Sequence, residues 1–407
     1  MPVGIEKLNL YAGRCYLDLA DVAQARGSNP AYYREQIMCQ QRSVYPPYED
    51  AVTLAVNAAQ RLLTDEDRAD IELLIVGTES AVDLGKPLST WVHRFCDLPS
   101  TCRNFEVKHA CYAATGALKM AAAWVAANVR PGKKALVINS DLSRNFVNTP
   151  HEPVGGGVAV AMLVSAEPHL LEIDLTQSGY WTYEIADTFR PTSRCEIMNG
   201  EISIYAYLDA LDGAYTHYEE LVGATDYRTA FRKHIYHAPF PGMTLQAHQS
   251  MLNRFAAVSK AAVQADFTQK VAESLTFAKR IGSAYGSSNF VCLLSLLTTA
   301  TDLQAGDPIS LFAYGSGCQG EFYRATLGQQ AVARARAANV GAHLDARQRL
   351  TVAAYEANEQ ARETYVDCAD YCPDRLLLNG VYAEQYAGQG LLVLNAVEHY
   401  ARRYEWS

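Results

Sequence analysis

The sequence predicts an α/β fold, because strand-like and helix-like patterns alternate along it. Three apolar runs, at 71–77, 134–139 and 158–164, have the length of strands that are buried on both faces. Runs of this kind are typical of parallel sheets, whose two faces are covered by helices. Segments in which apolar residues recur with helical spacing lie before the first run, at 48–63, and between the first two, at 118–129. This alternation favours α/β over all-α or all-β folds.

Composition narrows the class of protein. A chain of 407 residues with 49% apolar content supports one large or two medium domains with a substantial core. The net charge of −9 and the absence of a lysine- or arginine-rich block argue against nucleic-acid binding. No segment has the length of a membrane span or the pattern of a secretory signal. The ten cysteines are scattered without a CxxC pair, so we expect neither disulfides nor a metal site, and a cytoplasmic location.

The remaining elements follow from local patterns. The N-terminal part predicts a strand-like segment at 5–11, helices at 17–26 and 31–41, a β-prone run at 105–107 and a glycine loop at 151–157. In the second part, the patterns predict strands at 171–175 and 308–314 and an extended segment at 234–238. They predict helical segments from about 203 and at 215–233, 245–278 and 290–297, and charged helices with turns over 322–406.

Cys111 is the first candidate for chemistry. It lies between the β-prone run and the helix, and small residues from Ala113 to Ala117 follow it. A cysteine at a strand-to-helix turn lies near converging backbone N–H groups and a helix dipole, which favour a thiolate. Such a cysteine can carry an acyl group as a thioester. The alternative is a buried structural cysteine, and the local pattern leaves both open.

Other candidates also have two interpretations. Glu79 lies at the carboxyl end of a predicted strand, where open α/β sheets place their chemistry, but it can equally cap a helix. His237 ends an extended segment, either as a catalytic residue or as a hydrogen-bonded core histidine. Arg34 is either a docking residue or a solvated surface arginine. The turn Gly315-Ser316-Gly317 can present backbone N–H groups.

Several motifs together resemble the HMG-CoA synthase family of the thiolase superfamily, over essentially the whole chain. The matching segments are Thr78-Glu79-Ser80, Cys111, Ser140-Asp141, Glu152-Pro153, Phe189-Arg190-Pro191, Tyr236-His237-Ala238-Pro239-Phe240 and Phe312-Ala-Tyr-Gly-Ser-Gly317. The resemblance implies a thiolase-like αβαβα layered sandwich of two similar halves, and a homodimer. We expect an N-terminal half at 1–167 with Glu79 and Cys111, and a C-terminal half at 168–407 with His237 and the glycine turn.

The resemblance also implies a reaction. Cys111 takes an acetyl group from a thioester, and Glu79 removes a proton from the acetyl methyl. The enolate attacks the ketone of a second thioester, which His237 positions and protonates. Backbone N–H groups of Cys111 and Ser316 are candidates for the oxyanion hole, and Gly315 and Tyr314 belong to the same turn. The substrates are phosphopantetheine-linked thioesters, and no tightly bound cofactor or metal is expected.

Departures from the family pattern bear on the substrate carrier. Lysines that suit the phosphates of coenzyme A are replaced by Gly242, Leu245 and Gln246. Asn145 stands where the family has tyrosine, and Ser283 where it has asparagine, which bears on acceptor binding. Conversely, the segment Ser43-Val-Tyr-Pro-Pro-Tyr-Glu-Asp-Ala-Val-Thr53 looks like that of relatives that introduce β-branches into polyketides. In those relatives, donor and acceptor acyl groups are attached to acyl carrier proteins.

Our first hypothesis is therefore a carrier-dependent synthase that adds acetyl-derived carbon to a polyketide β-keto group, with Arg34 as a candidate docking residue. One alternative is the primary-metabolic hydroxymethylglutaryl-CoA synthase, which rapid turnover of acetyl-CoA and acetoacetyl-CoA would favour. Another is a catalytically inactive scaffold that binds carrier proteins, which detection of an acetylated Cys111 would exclude.

Overall fold

A computed structural model describes residues 2–407, which form a mixed α/β fold around a nine-stranded sheet. The strands are β1 (Gly4–Tyr11), β2 (Cys15–Asp18), β3 (Gln41–Val44), β4 (Ile71–Gly77), β5 (Arg103–Val107), β6 (Lys134–Leu142), β7 (Gly157–Ser165), β8 (Leu171–Thr182), β9 (Thr188–Phe189), β10 (Ile197–Met198), β11 (Lys233–Tyr236), β12 (Pro308–Gly315), β13 (Gln319–Leu327), β14 (Gln348–Leu350), β15 (Leu392–Glu398) and β16 (Ala401–Trp406).

Helices lie around the main sheet, and some of them lie between the two parts into which that sheet divides. They are α1 (Leu19–Ala25), α2 (Pro30–Tyr32), α3 (Ala51–Gln60), α4 (Asp65–Asp70), α5 (Ser89–Phe95), α6 (Ala113–Ala126), α7 (Gly200–Val222), α8 (Tyr227–Ala230), α9 (Pro241–Phe255), α10 (Lys260–Lys270), α11 (Ala278–Ile281), α12 (Ser288–Thr299), α13 (Ala331–Ala337), α14 (Val340–Asp345), α15 (Val352–Tyr365) and α16 (Val381–Gln385). A π-helical turn spans Tyr33–Ile37, and short 3₁₀ turns span Glu152–Val154, Ala272–Leu275 and Tyr285–Ser287.

The sheet consists of two parts with the same pairing pattern. In the order β1-β7-β6-β4-β5, the first two pairings are antiparallel and the next two are parallel. In the order β8-β13-β12-β11, two antiparallel pairings are again followed by a parallel one. Within residues 2–407, the strands of the two parts pair with each other only where Gly4 and Ile5 of β1 meet β8. The halves are therefore similar, as the resemblance implied.

Helices add three layers to these two. Helix α6 contacts β4, β6 and β7 of the first part and β8 of the second, while α12 contacts β11 and β12 and also β1. Both therefore lie between the two parts of the sheet. Helix α12 is buried all round, from Ser288 to Leu297, as a middle-layer helix must be. Because α3 covers the first part and α7 the second from outside, the layers follow the predicted αβαβα order.

The C-terminal segment packs against the N-terminal part. Strand β14 pairs in parallel with β2. The Asn57 side chain of α3 accepts from the Leu392 N–H at 2.8 Å and donates to its carbonyl at 3.1 Å. The buried Glu49 carboxylate accepts from the hydroxyls of Tyr11 and Tyr386, each at 2.8 Å. The division of the chain into domains at residue 167 stays a prediction.

Three predicted helical regions differ in the structure. The segment 31–41 is not one helix, because Met38 has a left-handed φ of 59° that ends the π-helical turn. The segment 215–233 is not one helix, because Gly223 with φ 87° ends α7 at Val222, and only the short helix α8 (Tyr227–Ala230) follows before β11. The last segment, 322–406, also contains strands, because β13 continues the sheet and β15 and β16 form a hairpin. No helix within residues 2–407 combines the length and the apolar character of a bilayer span.

Candidate active site

The ends of strands from both halves surround one cavity of about 340 Å³. The carboxyl end of β4, the turn before α6, the segment after β11 and the turn after β12 all contribute to it. The predicted site residues that line it are Glu79, Cys111, His237, Ser283, Tyr314 and Ser316. The topology thus brings together residues that are far apart in the sequence.

Cys111 lies on a tight turn between β5 and α6. Ala110, just before it, has a left-handed φ of 40°, a conformation that costs non-glycine residues about 1–3 kcal/mol and is concentrated at functional sites. The Tyr112 N–H donates to the His109 carbonyl at 3.0 Å and closes the turn. Gly77 permits the close approach of β4, since a β-carbon there would lie 2.9 Å from the Ala113 backbone. This packing places Cys111 beside the end of β4.

The Cys111 thiol donates to Glu79 Oε1 across 3.3 Å. Burial, together with the neighbouring carboxylate of Glu79, raises the pKa of the Cys111 thiol well above its ordinary value. Helix α6 begins at Ala113, two residues after Cys111, and the Glu79 carboxylate at 3.3 Å opposes the thiolate that was expected from the helix dipole. The thiol is protonated at rest, and Glu79 is in position to accept its proton.

The Glu79 side chain caps no helix of residues 2–407 and is only 12% exposed. Its backbone N–H donates to Asp141 Oδ1 at 2.8 Å, while its carboxylate accepts only from Cys111 within residues 2–407. Burial raises the pKa of Glu79 to about 7; the cation of Arg190 opposes this rise, and the negative charge of Asp141 adds to it. A carboxyl group with this pKa can both accept and release a proton near neutral pH.

His237 is held as a neutral ring. Burial lowers its pKa to about 3, and its Nδ1 lies 2.6 Å from the Ser288 hydroxyl at the start of α12. The Ser288 oxygen also accepts from the Ala238 N–H at 3.2 Å. We assign Ser288 as the donor of this hydrogen bond, so that its hydroxyl donates to Nδ1 of His237. The proton of the neutral ring is then on Nε2, which can donate a hydrogen bond. Tyr207 stacks against the ring with centroids 6.2 Å apart.

The turn after β12 approaches the Cys111 turn closely. At Gly315 a β-carbon would lie only 2.6 Å from the Tyr112 nitrogen, so glycine is needed here. Asp187 fixes the turn: its carboxylate accepts from the Tyr314 hydroxyl at 2.8 Å and from the Gly317 N–H at 3.0 Å. The Ser316 N–H has no hydrogen-bond partner among residues 2–407 and is available to a ligand.

Comparison with known proteins identifies the family. The profile described as hydroxymethylglutaryl-coenzyme A synthase N terminal matches residues 1–168, and the C-terminal profile of the same synthase matches residues 242–387. The polyketide biosynthesis 3-hydroxy-3-methylglutaryl-ACP synthase PksG of Bacillus subtilis is 36% identical over 366 residues, which are 87% of this chain and 87% of that protein. The chain belongs to the hydroxymethylglutaryl-CoA synthase family.

Other members of the family are also similar. The hydroxymethylglutaryl-CoA synthase of Enterococcus faecalis is 33% identical over 360 residues, 88% of this chain and 91% of that enzyme. Among solved structures, the HMG synthase of the curacin biosynthetic pathway in complex with acetyl donor-ACP matches with a TM-score of 0.94 and 36% identity, over 100% of both chains. The thiolase-like αβαβα fold class and a condensing acyltransferase of this family are thereby confirmed.

Three of the predicted residues do not line the main cavity of this synthase: Gly315, which packs against the Cys111 turn, Asn145 and Arg34. Asn145 lines a separate cavity of about 80 Å³, and its side-chain oxygen accepts from the Val147 N–H at 2.9 Å. The Asn145 side chain caps its own loop in this structure, and the role in substrate binding that the resemblance implied for it stays a prediction. Arg34 is exposed on the turn Tyr33–Ile37, beside Gln36 and Ile37 at the cavity mouth, and has no ion-pair partner within residues 2–407.

The structure also reveals site residues that the sequence-based analysis of this synthase missed. Glu196 lines the cavity, and Arg190 pairs with it at 2.9 Å and lies 3.6 Å from Glu79. Arg190 belongs to a recognised motif, but Glu196 lies in an irregular loop segment with no periodic signal, and only the tertiary fold brings it to the site. No lysine or arginine lines the cavity, while the carboxylates of Glu79 and Glu196 do.

Proposed function

We propose that this synthase condenses an acetyl group, held as a thioester on Cys111, with the β-keto group of a polyketide intermediate on an acyl carrier protein. The product is a β-hydroxy-β-carboxymethyl thioester. The observation that carries the proposal is the shared cavity, in which the Cys111 thiol contacts Glu79 at 3.3 Å and the buried His237 contributes to the same wall.

The first step is acyl transfer. Glu79 accepts the thiol proton as the sulfur of Cys111 attacks the donor thioester carbonyl. The C–S bond to the donor phosphopantetheine breaks, and its thiol leaves with the proton that Glu79 took. The step ends with acetyl-Cys111 and an ionised Glu79.

The second step forms the carbon–carbon bond. Glu79 takes a proton from the acetyl methyl, and the electron pair moves onto the thioester oxygen, where the N–H groups of Cys111 and Ser316 stabilise the enolate. The methylene carbon attacks the acceptor ketone while Nε2–H of His237 donates to the ketone oxygen. Since neutral His237 would become an imidazolate if it lost that proton, we propose that the alkoxide receives its proton from Glu79.

The third step releases the product. Water attacks the thioester carbonyl on Cys111, with Glu79 as its base, and the C–S bond to Cys111 breaks. The acetyl-derived carbon leaves as a carboxylate, which accounts for the carboxymethyl branch, and the Cys111 thiol is restored. The substrates are phosphopantetheine-linked thioesters, and the steps use no metal or resident cofactor.

Two observations support a carrier protein over coenzyme A. Gly242 cannot be replaced by a phosphate-binding lysine, because a β-carbon there would lie 1.8 Å from the Gln36 carbonyl oxygen. Exposed Arg34 at the cavity mouth offers a cation to an acidic carrier surface. The relatives named as an ACP synthase and as a complex with acetyl donor-ACP agree with this choice. We also propose a homodimer, since β5 is an edge strand of the main sheet, open to pairing.

One experiment compares donors. The protein is incubated with acetyl-CoA, acetyl-pantetheine or the acetylated donor carrier of the curacin pathway, and acetyl-Cys111 is followed by intact mass, with Cys111→Ala as blank. We expect the carrier to acetylate fastest. Equal or faster acetylation by acetyl-CoA, with turnover of acetoacetyl-CoA, would favour the primary-metabolic synthase. The similarity to the hydroxymethylglutaryl-CoA synthase of Enterococcus faecalis is consistent with that alternative. No acetylation by any donor would favour the inactive scaffold.

A second experiment tests docking. Arg34→Glu should slow transfer from the carrier at least tenfold, while transfer from acetyl-pantetheine stays near the wild-type rate. Arg228→Glu is the matched control, because Arg228 is also exposed but lies on α8, which contributes no residue to the cavity lining, whereas Arg34 is beside the lining residues Gln36 and Ile37. Unchanged transfer from the carrier to Arg34→Glu would remove Arg34 from the proposal.

A further inference from the structure

Arg190 is held between two carboxylates of the active site. Its Nη1 donates to the Glu79 carbonyl at 3.2 Å and to the Ser80 hydroxyl at 2.8 Å. Its Nη2 lies 2.9 Å from Glu196 Oε2 and donates to the Leu142 carbonyl at 3.3 Å. The remaining N–H, on Nε, has no hydrogen-bond partner within residues 2–407 and lies 3.6 Å from Glu79 Oε2. The guanidinium is thus anchored just short of a hydrogen bond with the base.

Glu196 is itself fixed from the other side. Its side chain is 1% exposed, and it accepts from the Tyr285 hydroxyl at 3.3 Å and from the Arg144 backbone N–H at 3.4 Å. The guanidinium of Arg190 lies over the Tyr285 ring, 4.9 Å from its centroid. A buried carboxylate with these contacts holds an arginine in one place.

We propose that Glu196 is a positioning residue that keeps Arg190 from forming a full ion pair with Glu79. The ion pair with Glu196 holds Nη2 of Arg190 at 2.9 Å from Glu196 Oε2. Nε of the same guanidinium then lies 3.6 Å from Glu79 Oε2. Without the Glu196 charge, Arg190 would turn its free Nε–H to the catalytic carboxylate. Glu196 thereby acts on the reaction through Arg190 and not through contact with substrate.

The consequence for the base follows from the surrounding charges. The titratable and charged groups that face Glu79 are Arg190, Glu196, Asp141 of β6, Cys111 and Tyr285. Arg190 lowers the pKa of Glu79, whereas Asp141 and Glu196 raise it. Loss of the Glu196 charge removes one negative charge that raises the pKa of Glu79, and it allows the Arg190 cation to approach Glu79. Both changes lower the pKa of Glu79 and make it a weaker base. The inference rests on the proposed role of Glu79 as the base that deprotonates the acetyl methyl.

The experiment measures that base directly. Wild-type protein acetylated on Cys111 is transferred to D₂O buffers between pH 5 and pH 9, and deuterium in the acetyl group is read by mass spectrometry of the Cys111 peptide. The exchange rate should rise with pH as Glu79 ionises, and this rise is the acid limb of the profile. In Glu196→Gln the acid limb should shift to lower pH by about one unit or more, and the maximal exchange rate at high pH should fall. Glu196→Asp keeps the charge but shortens the side chain, so its limb should lie between the other two.

Glu152→Gln is the matched control, because Glu152 is also a buried glutamate paired with an arginine, Arg26, at 2.8 Å. Its limb should coincide with that of the wild type. A limb that stays within about 0.3 pH unit in the Glu196 variants would overturn the inference. Glu196→Asp decides the question if Glu196→Gln does not fold. Absence of exchange in the wild type would instead contradict the proposed role of Glu79, so the two failures are distinguishable.

Discussion

Gly315→Ala tests whether Cys111 reacts only when the turn after β12 contacts the backbone of the Cys111 turn directly. A β-carbon at this position would lie 2.6 Å from the Tyr112 nitrogen and 2.7 Å from the His109 carbonyl oxygen, whereas ordinary contacts begin at 3.4 Å. Because both obstructing atoms belong to the backbone, the turns must separate by about 0.8 Å. Misplacement by about 1 Å can cost about 100-fold in rate, so we expect acetylation of Cys111 to slow about 30- to 100-fold.

The assay is the time course of acetyl-Cys111 with acetyl-pantetheine, which removes carrier docking from the measurement. Gly341→Ala is the matched control, since a β-carbon there meets nothing within 4 Å and Gly341 does not line the cavity, and it should acetylate at the wild-type rate. Thermal unfolding of both variants separates a local shift from a loss of fold. If folded Gly315→Ala acetylates within about threefold of the wild type, close contact of the two turns is not required and this explanation of Gly315 is wrong.

Three further predictions use the same protein. Glu79→Gln keeps the shape of the base but accepts no proton, so exchange of the acetyl methyl should fall about 100- to 10,000-fold in the deuterium assay. Ser288→Ala removes the partner of His237 Nδ1, and single-turnover kinetics should show condensation slowed about tenfold or more, and more than acetylation. Burial raises the pKa of Glu49 from 4.5 to about 7, so its contribution to stability is fully present below pH 4.5 and is lost as pH rises through 7. The loss amounts to at most about 3 kcal/mol, and Glu49→Gln should lack it; an identical pH dependence of urea unfolding in both proteins would contradict this.

The buried strands were the most predictable part of the fold. Strand β4 has the predicted bounds, because its apolar run, broken only by Glu72, is buried. Strand β6 runs past its apolar part to Leu142, since the polar Ser140 and Asp141 are buried and hydrogen-bonded. Helix α6 begins at Ala113 and not at Leu118, because the small residues that were expected to form a turn are themselves helical. Local patterns do not contain these long-range contacts.

The candidate site could be predicted only in part. The local pattern left Cys111, Glu79 and His237 with two interpretations each, and the family motifs, not their spacing, brought them together. Charge state was harder to predict, because the protonated thiol and the neutral His237 depend on burial and on the Glu79 carboxylate. Glu196 could not be found, since its role depends on an arginine pair formed in three dimensions.

The contacts of the last residues with the first half have a consequence for synthesis. While the ribosome is still making the chain, α3 lacks its Leu392 partner for Asn57, and Glu49 lacks the Tyr386 hydroxyl. The first half therefore emerges with polar groups that find their partners only after residues 386 and 392 have been made. We expect fragments that stop before 385 to be retained by chaperones.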